Sequence, residues 1–300
     1  MNCINICLAC DNNYAQYAGV VIASALANAA EDDFLSVYIL DGGIAEDNRQ
    51  KLQSLKNIKD CNIVFVKIDE SLFDEYKLVK THNYITIPAY YRLKLSSLLP
   101  DVSRVIYMDC DMVVNSSLHE LFVTAMQDFP IAGVSDLNRR KVRKNPTYVN
   151  SGMLVMDLDN IRKFKIEDEF LRWTVANKNA ITCGDQEIIN EVCKGRIKIV
   201  DECWNVQSSN FVNRSSYTKH PRIIHFVASR KPWHWASFSV HKDLYFKNLQ
   251  ITPWALSEDD FYKWTVKNRR AARWAYLKYR PLFWLRPRFY YAVYQTFFKK

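Results

Sequence analysis

A chain of 300 residues with 49% apolar and 24% charged residues can bury a sizeable core, which excludes disorder and a collagen-like fibre. Glycine is scarce, at 7 residues, and neither G-x-G-x-x-G nor G-x-x-x-x-G-K-[ST] occurs, which argues against a Rossmann dinucleotide loop and a P-loop. The net charge of +9 is uneven: residues 261–300 hold 11 Lys or Arg and no Asp or Glu, so the other 260 carry −2.

In chain order, Ile4 to Cys10 reads as a strand, followed by the polar turn Asp11-Asn12-Asn13 and an Ala-rich buried helix over 14–30. Residues 12–30 are uncharged, but interrupting Asn, Gln and Ser residues favour a buried helix over a membrane span. Strands follow at Leu35–Leu40 and Asn62–Ile68, with helical spacing over 46–56 between them. Pro88 fits a first helical turn leading into Ala89–Leu98, and Val102–Met108 is a fourth strand. This alternation predicts an α/β domain with a mainly parallel sheet. Further on, strands are predicted at Ile131–Val134, Gly152–Met156, Ile197–Val200 and Ile223–Val227, and helices at Ile166–Ala176 and Gln186–Val192. The eight cysteines include one C-x-x-C, Cys7 and Cys10, with no second pair, so they read as buried thiols in a reducing compartment. The N-terminus lacks a basic n-region, which argues against a signal peptide.

Four segments carry chemistry. The strand beginning at Arg104 ends in Asp109-Cys110-Asp111, two carboxylates at i and i+2. Strand alternation points both to one side, where they suit a hard divalent ion that also takes phosphate oxygens. His225 lies in an apolar run six residues before Lys231, within Ile223 to His234. It reads first as a core histidine, and second as the third ligand of an Asp-Asp-His site for Mn²⁺. Lys231 would then bind phosphate as a point charge. Asn150-Ser151-Gly152 and Gly184-Asp185-Gln186 each look like turns or caps when taken alone.

In this order, together with Ala9-Cys-Asp11-Asn-Asn13-Tyr14 and Tyr91-Arg92, the segments resemble glycosyltransferase family 8 over residues 3–235. The likeness is greatest to bacterial lipopolysaccharide galactosyl- and glucosyltransferases. The resemblance implies a GT-A type fold, a Rossmann-like mixed sheet flanked by helices. It implies Asp109, Asp111 and His225 as ligands for Mn²⁺ or Mg²⁺, and Asp11, Asn13 and Tyr14 around uridine. Arg92, Asn150, Ser151, Asp185 and Gln186 would line the donor sugar, the Cys110 backbone would touch the ribose, and Lys231 the diphosphate. Ala228 stands where the family usually has glycine against the phosphates, so its methyl group crowds that approach.

The expected reaction is transfer of galactose or glucose from its UDP-sugar, with retention, to a lipopolysaccharide or other surface glycan. Gln186 and Asp185 are the expected catalytic residues, with Gln186 stabilising an oxocarbenium-like state and Asp185 positioning hydroxyls. Two other readings compete. One is a haloacid-dehalogenase-type phosphohydrolase using Asp109 and Asp111, and the other an inactive sugar-nucleotide-binding scaffold. With this resemblance, residues 1–250 are expected to form the transferase domain and 251–300 a basic aromatic extension. Within that extension, residues 261–300 are expected to dock on an anionic membrane surface, placing the protein on the inner face of the cell membrane. Nucleic acid is not an expected partner. The run Arg139, Arg140, Lys141, Arg143 and Lys144 reads as a solvated loop before it reads as a site for acidic sugars.

Overall fold

The computed structural model describes residues 1–79, 87–207, 220–227, 231–233 and 241–256. Ten strands are described: β1 (Asn2–Cys10), β2 (Asp33–Asp41), β3 (Cys61–Lys67), β4 (Arg104–Met108), β5 (Met112–Val114), β6 (Ile131–Ser135), β7 (Val149–Asp157), β8 (Ile197–Ile199), β9 (Val206–Gln207) and β10 (Ile223–His225). Seven form one sheet in the order β3-β2-β1-β4-β7-β6-β8, and three form a small sheet, β5-β10-β9. The helix α1 (Ala15–Ala27) buries ten residues and packs where the two sheets meet. Gly19 lets the Trp254 ring close on this helix, because a Cβ there would sit 2.4 Å from that ring.

The sheet is mixed, and less parallel than the strand–helix alternation predicts. β1, β2, β3 and β4 run parallel, but β7 is antiparallel to both β4 and β6. The cause lies in the β6–β7 connection. Asp136 N donates to Tyr148 O at 2.9 Å, so the chain turns back at one end of the sheet instead of crossing it. The segment after Pro88 also differs from expectation. Ile87–Lys94 is a 3₁₀ helix, and only Leu95–Leu98 is α-helical. Tyr90, Tyr91, Arg92 and Leu93 are all buried.

The core has a layer on each face of the large sheet. Ile4, Ile6, Leu8, Ile106 and Met108 belong to the layer beneath α1, while Cys7, Val105 and Tyr107 belong to the other. All eight cysteines are free thiols. At the start of β2, Asp33 accepts hydrogen bonds from Asn2 Nδ2 (3.1 Å), Ala30 N (2.9 Å) and Ser117 Oγ (2.6 Å). Burial alone would raise its carboxyl, but these bonds hold it below the ordinary value. A depressed folded pKa adds stability above the unfolded pKa, and that stability is lost as pH falls through the folded one. Asp33→Asn therefore flattens the acid limb of the stability-versus-pH curve below about pH 4, as measured by denaturant titrations at stepped pH.

Candidate active site at the carboxyl ends of β1 and β4

The strand order reverses at β1, with β2 on one side and β4 on the other. Such a switch point opens a crevice at the carboxyl ends of the strands, where ligands of open α/β sheets bind. The two ends carry the turn Asp11-Asn12-Asn13 and the run Asp109-Cys110-Asp111. Cys110 turns into the α1 layer, where Sγ donates to Ala9 O at 3.3 Å. Asp109 continues the register of Val105 and Tyr107 towards the opposite face.

On that face Arg92 is the central cation. It is 3% exposed and lies 4.2 Å from the Tyr107 ring centroid. Nη2 donates to Asp109 Oδ1 at 2.6 Å, Nη1 to Ser151 O, and Nε to Ala89 O at 2.9 Å, while Asp185 Oδ2 lies 3.3 Å from Nε. Burial would lower the Arg92 pKa, but Asp109 and Asp185 outweigh it and hold the guanidinium charged. For Asp185, burial and the nearby Asp109 charge raise the carboxyl, while Arg92 and the Ser151 hydroxyl pull it back. The Ser151 hydroxyl thus faces Asp185.

Asp109, Asp111 and His225 converge, with their ligand atoms within 4.8 Å of one another. His225 Nε2 lies 3.2 Å from Asp111 Oδ1 and 3.8 Å from Asp109 Oδ2. Asp111 Oδ1 is buried and accepts no hydrogen bond, although a buried carboxylate oxygen normally has a partner. Two carboxylates and an imidazole around such an oxygen fit a divalent ion that accepts mixed O and N ligands. Lys231 Nζ binds Asp111 Oδ2 and donates to Phe226 O at 2.8 Å. Burial would raise the Asp111 carboxyl, but an imidazolium at His225 donating to it, together with the Lys231 ammonium, would hold it well below the ordinary range. Gly152 makes the cluster possible. A Cβ there would lie 2.2 Å from His225 Cε1 and 2.8 Å from Asp109 Oδ2.

A chain of amides extends from this cluster to the sugar-side residues. Asn205 Oδ1 lies 3.1 Å from His225 Nδ1, and Asn205 Nδ2 donates to Asn150 Oδ1 at 3.0 Å. Asn150 Nδ2 donates to Gln186 Oε1 at 3.0 Å, and Gln186 Nε2 to Asp136 Oδ2 at 3.2 Å. Asp136 Oδ1 also accepts Arg139 N at 3.0 Å, at the start of the helix Leu137–Arg143, so much of the predicted basic loop is helical.

Among the other predicted residues, Asp11 Oδ1 accepts Tyr14 N at 3.0 Å and Asn13 is exposed. Tyr14 is 43% exposed and lies edge-on to Tyr17, which stacks on Trp233 at 3.8 Å. Burial and the Asp111 charge raise its hydroxyl. Ala228 and residues 261–300 lie outside the described residues. Gly152, Asp136 and Asn205 are the members that sequence reasoning missed. Gly152 lay within a quoted motif, and Asp136 follows an apolar strand just as Asp109 does, while Asn205 has no such signal.

The sequence profile described as glycosyl transferase family 8 matches residues 5–236. The chain belongs to glycosyltransferase family 8. Membership makes it a glycosyltransferase and sets aside the phosphohydrolase alternative. General stress protein A of Bacillus subtilis is 27% identical over 81% of this chain and 92% of its own length. A lipopolysaccharide 1,2-glucosyltransferase of Escherichia coli K12 is 24% identical over 81% of this chain and 79% of its own. The crystal structure of the galactosyltransferase LgtC with donor and acceptor sugar analogues has a TM-score of 0.75 at 24% identity, covering 87% of this chain and all of that one. The family 8 chain thus has the GT-A fold. Among its described residues, no helix is long and apolar enough to cross a membrane.

Proposed function

We propose that this family 8 enzyme transfers a hexose from UDP-galactose or UDP-glucose, with retention, to a lipopolysaccharide or another surface glycan. The observation that carries the reading is the convergence of Asp109, Asp111 and His225 beside Lys231 at the switch point. The name of the lipopolysaccharide glucosyltransferase relative supports the acceptor class. Mn²⁺, or Mg²⁺ in its place, would be held by Asp109, Asp111 and His225 and would supply Lewis acidity to the departing diphosphate. Lys231 neutralises a phosphate oxygen, and Asp11, Asn13 and Tyr14 hold the uridine, with the Cys110 backbone at the ribose. Asn150, Ser151 and Arg92 orient the sugar-side groups.

Retention requires either a covalent glycosyl-enzyme or attack from the face of the leaving group. Asp185 is buried and held by the Arg92 guanidinium, which makes it a weak nucleophile. Gln186 is neutral, and its Oε1 already accepts two N–H donors. Front-face attack follows, with Gln186 stabilising positive charge and Asp185 positioning hydroxyls. NMR of the product formed from each UDP-hexose tests this. The reading predicts an α-linked product and no glycosylated Asp185 in intact-mass spectra of quenched turnover. An inverted product or an Asp185 adduct contradicts it.

We also assign residues 1–250 to the transferase domain and 251–300 to an extension, of which 261–300 reaches an anionic membrane surface on the cytoplasmic side. The support is compositional: 11 Lys or Arg alongside 14 aromatic residues in the last forty. Deleting residues 261–300 is expected to abolish sedimentation with phosphatidylglycerol liposomes while donor hydrolysis persists. Unchanged sedimentation contradicts the assignment.

A further inference from the structure

We propose that Asn205 is a positioning residue that fixes the tautomer of His225, so that the Nε2 lone pair faces the carboxylate pair. The inference rests on the metal-site part of the proposed function. Its argument runs through donor and acceptor identities. Two backbone N–H groups and one carboxylate have fixed roles. Gly152 N donates to Asn150 Oδ1 at 3.1 Å, and Ser151 N donates to Gln186 Oε1 at 3.2 Å. An ionised Asp136 Oδ2 can only accept, so the Gln186 group facing it must be the NH₂.

These anchors leave no freedom to flip the amides. Asn150 must turn its oxygen to Gly152 N and its nitrogen to Gln186 Oε1. Asn205 must then donate its own nitrogen to Asn150 Oδ1, which leaves its oxygen facing His225 Nδ1 at 3.1 Å. A carbonyl oxygen can only accept, so Nδ1 carries the proton. In the neutral ring Nε2 is then an acceptor, 3.2 Å from an Asp111 oxygen that itself accepts no hydrogen bond. Two facing lone pairs call for a cation. A metal-binding imidazole uses its second nitrogen in this way to set ring orientation and basicity. The same relay ends on Gln186, so one hydrogen-bond polarity is imposed on the metal side and the sugar side together.

The test is imidazole ¹⁵N NMR on the full chain, which has only 6 histidines, with the His225 signal assigned from His225→Gln. Spectra are taken without metal at stepped pH, up to the point where the His225 ring has lost its imidazolium signature. The proposal predicts Nδ1–H for His225 in the wild type and in Asn205→Asp, whose carboxylate still accepts, and Nε2–H in Asn205→Leu. Titration with Mn²⁺ alone should broaden the His225 signal at a concentration about 10–100-fold higher in Asn205→Leu than in wild type. In Asn205→Asp the midpoint is kept but turnover falls, because no amide remains to bond Asn150 Oδ1. An Nε2–H wild-type ring overturns the proposal without any variant having to fold. Equal midpoints for wild type and Asn205→Leu remove the role of Asn205 alone. A wild-type signal that Mn²⁺ never broadens removes the metal site, and the proposal with it.

Discussion

Arg92→Leu should lose about 3–5 kcal/mol of folding stability, the cost of leaving a buried charge without its partner. The guanidinium is 3% exposed and Asp185 is 8% exposed, so water cannot take its place. Leucine fills part of the volume but leaves Asp109 and Asp185 without their shared cation, and removes the guanidinium bonds to the carbonyls of Ser151 and Ala89. Arg92→Lys is expected to recover only part of this, because one ammonium cannot reproduce a planar fork that reaches all four groups. Urea titration measures both variants. A loss below about 1 kcal/mol for Arg92→Leu, the worth of an exposed ion pair, would contradict the central place given to this cation.

Gly152→Ala should damage the same site from the other side. Its Cβ would meet His225 Cε1 at 2.2 Å, with Asp109 Oδ2 and His225 Nδ1 both at 2.8 Å. The imidazole is enclosed and cannot retreat, since Nδ1 is tied to Asn205 and the ring is 3% exposed. Overpacking of this kind costs about 1–3 kcal/mol. Displacing the ring should cut Mn²⁺ affinity on the order of 100-fold, comparable to the upper range for lost support around a metal ligand. Water-proton relaxation reads the affinity, and thermal unfolding reads the stability. Wild-type Mn²⁺ affinity in a folded Gly152→Ala protein would show that the three ligands do not depend on this close approach.

The parts of this account legible in the sequence are those that local periodicity fixes. The strand ending in Asp109-Cys110-Asp111 predicts Cys110 opposite its acidic neighbours, and the structure places Cys110 in the core, although β4 ends at Met108 and a turn carries Cys110 and Asp111. Sheet direction was not legible, because the apolar run of β7 reads the same in either direction. Its antiparallel pairing follows the return of the chain after β6, where Asp136 N bonds Tyr148 O. Arg92 entered through family resemblance alone, since no spacing rule links it to Asp109 and to Asp185, which lies far along the chain. Asp136 and Asn205 were missed for a related reason. A polar residue after a strand or in a short turn looks like an ordinary cap, and only its partner distinguishes it. For Asn205 those partners are Asn150 and His225.

The most direct test of the central claim is calorimetric titration of UDP into the full chain, with and without Mn²⁺, repeated on Asp111→Asn. The account predicts UDP binding that requires the metal in the wild type and disappears in the variant, with both proteins folded by circular dichroism. UDP binding of equal strength without metal, or undiminished in Asp111→Asn, would contradict a donor site built on Asp109, Asp111 and His225.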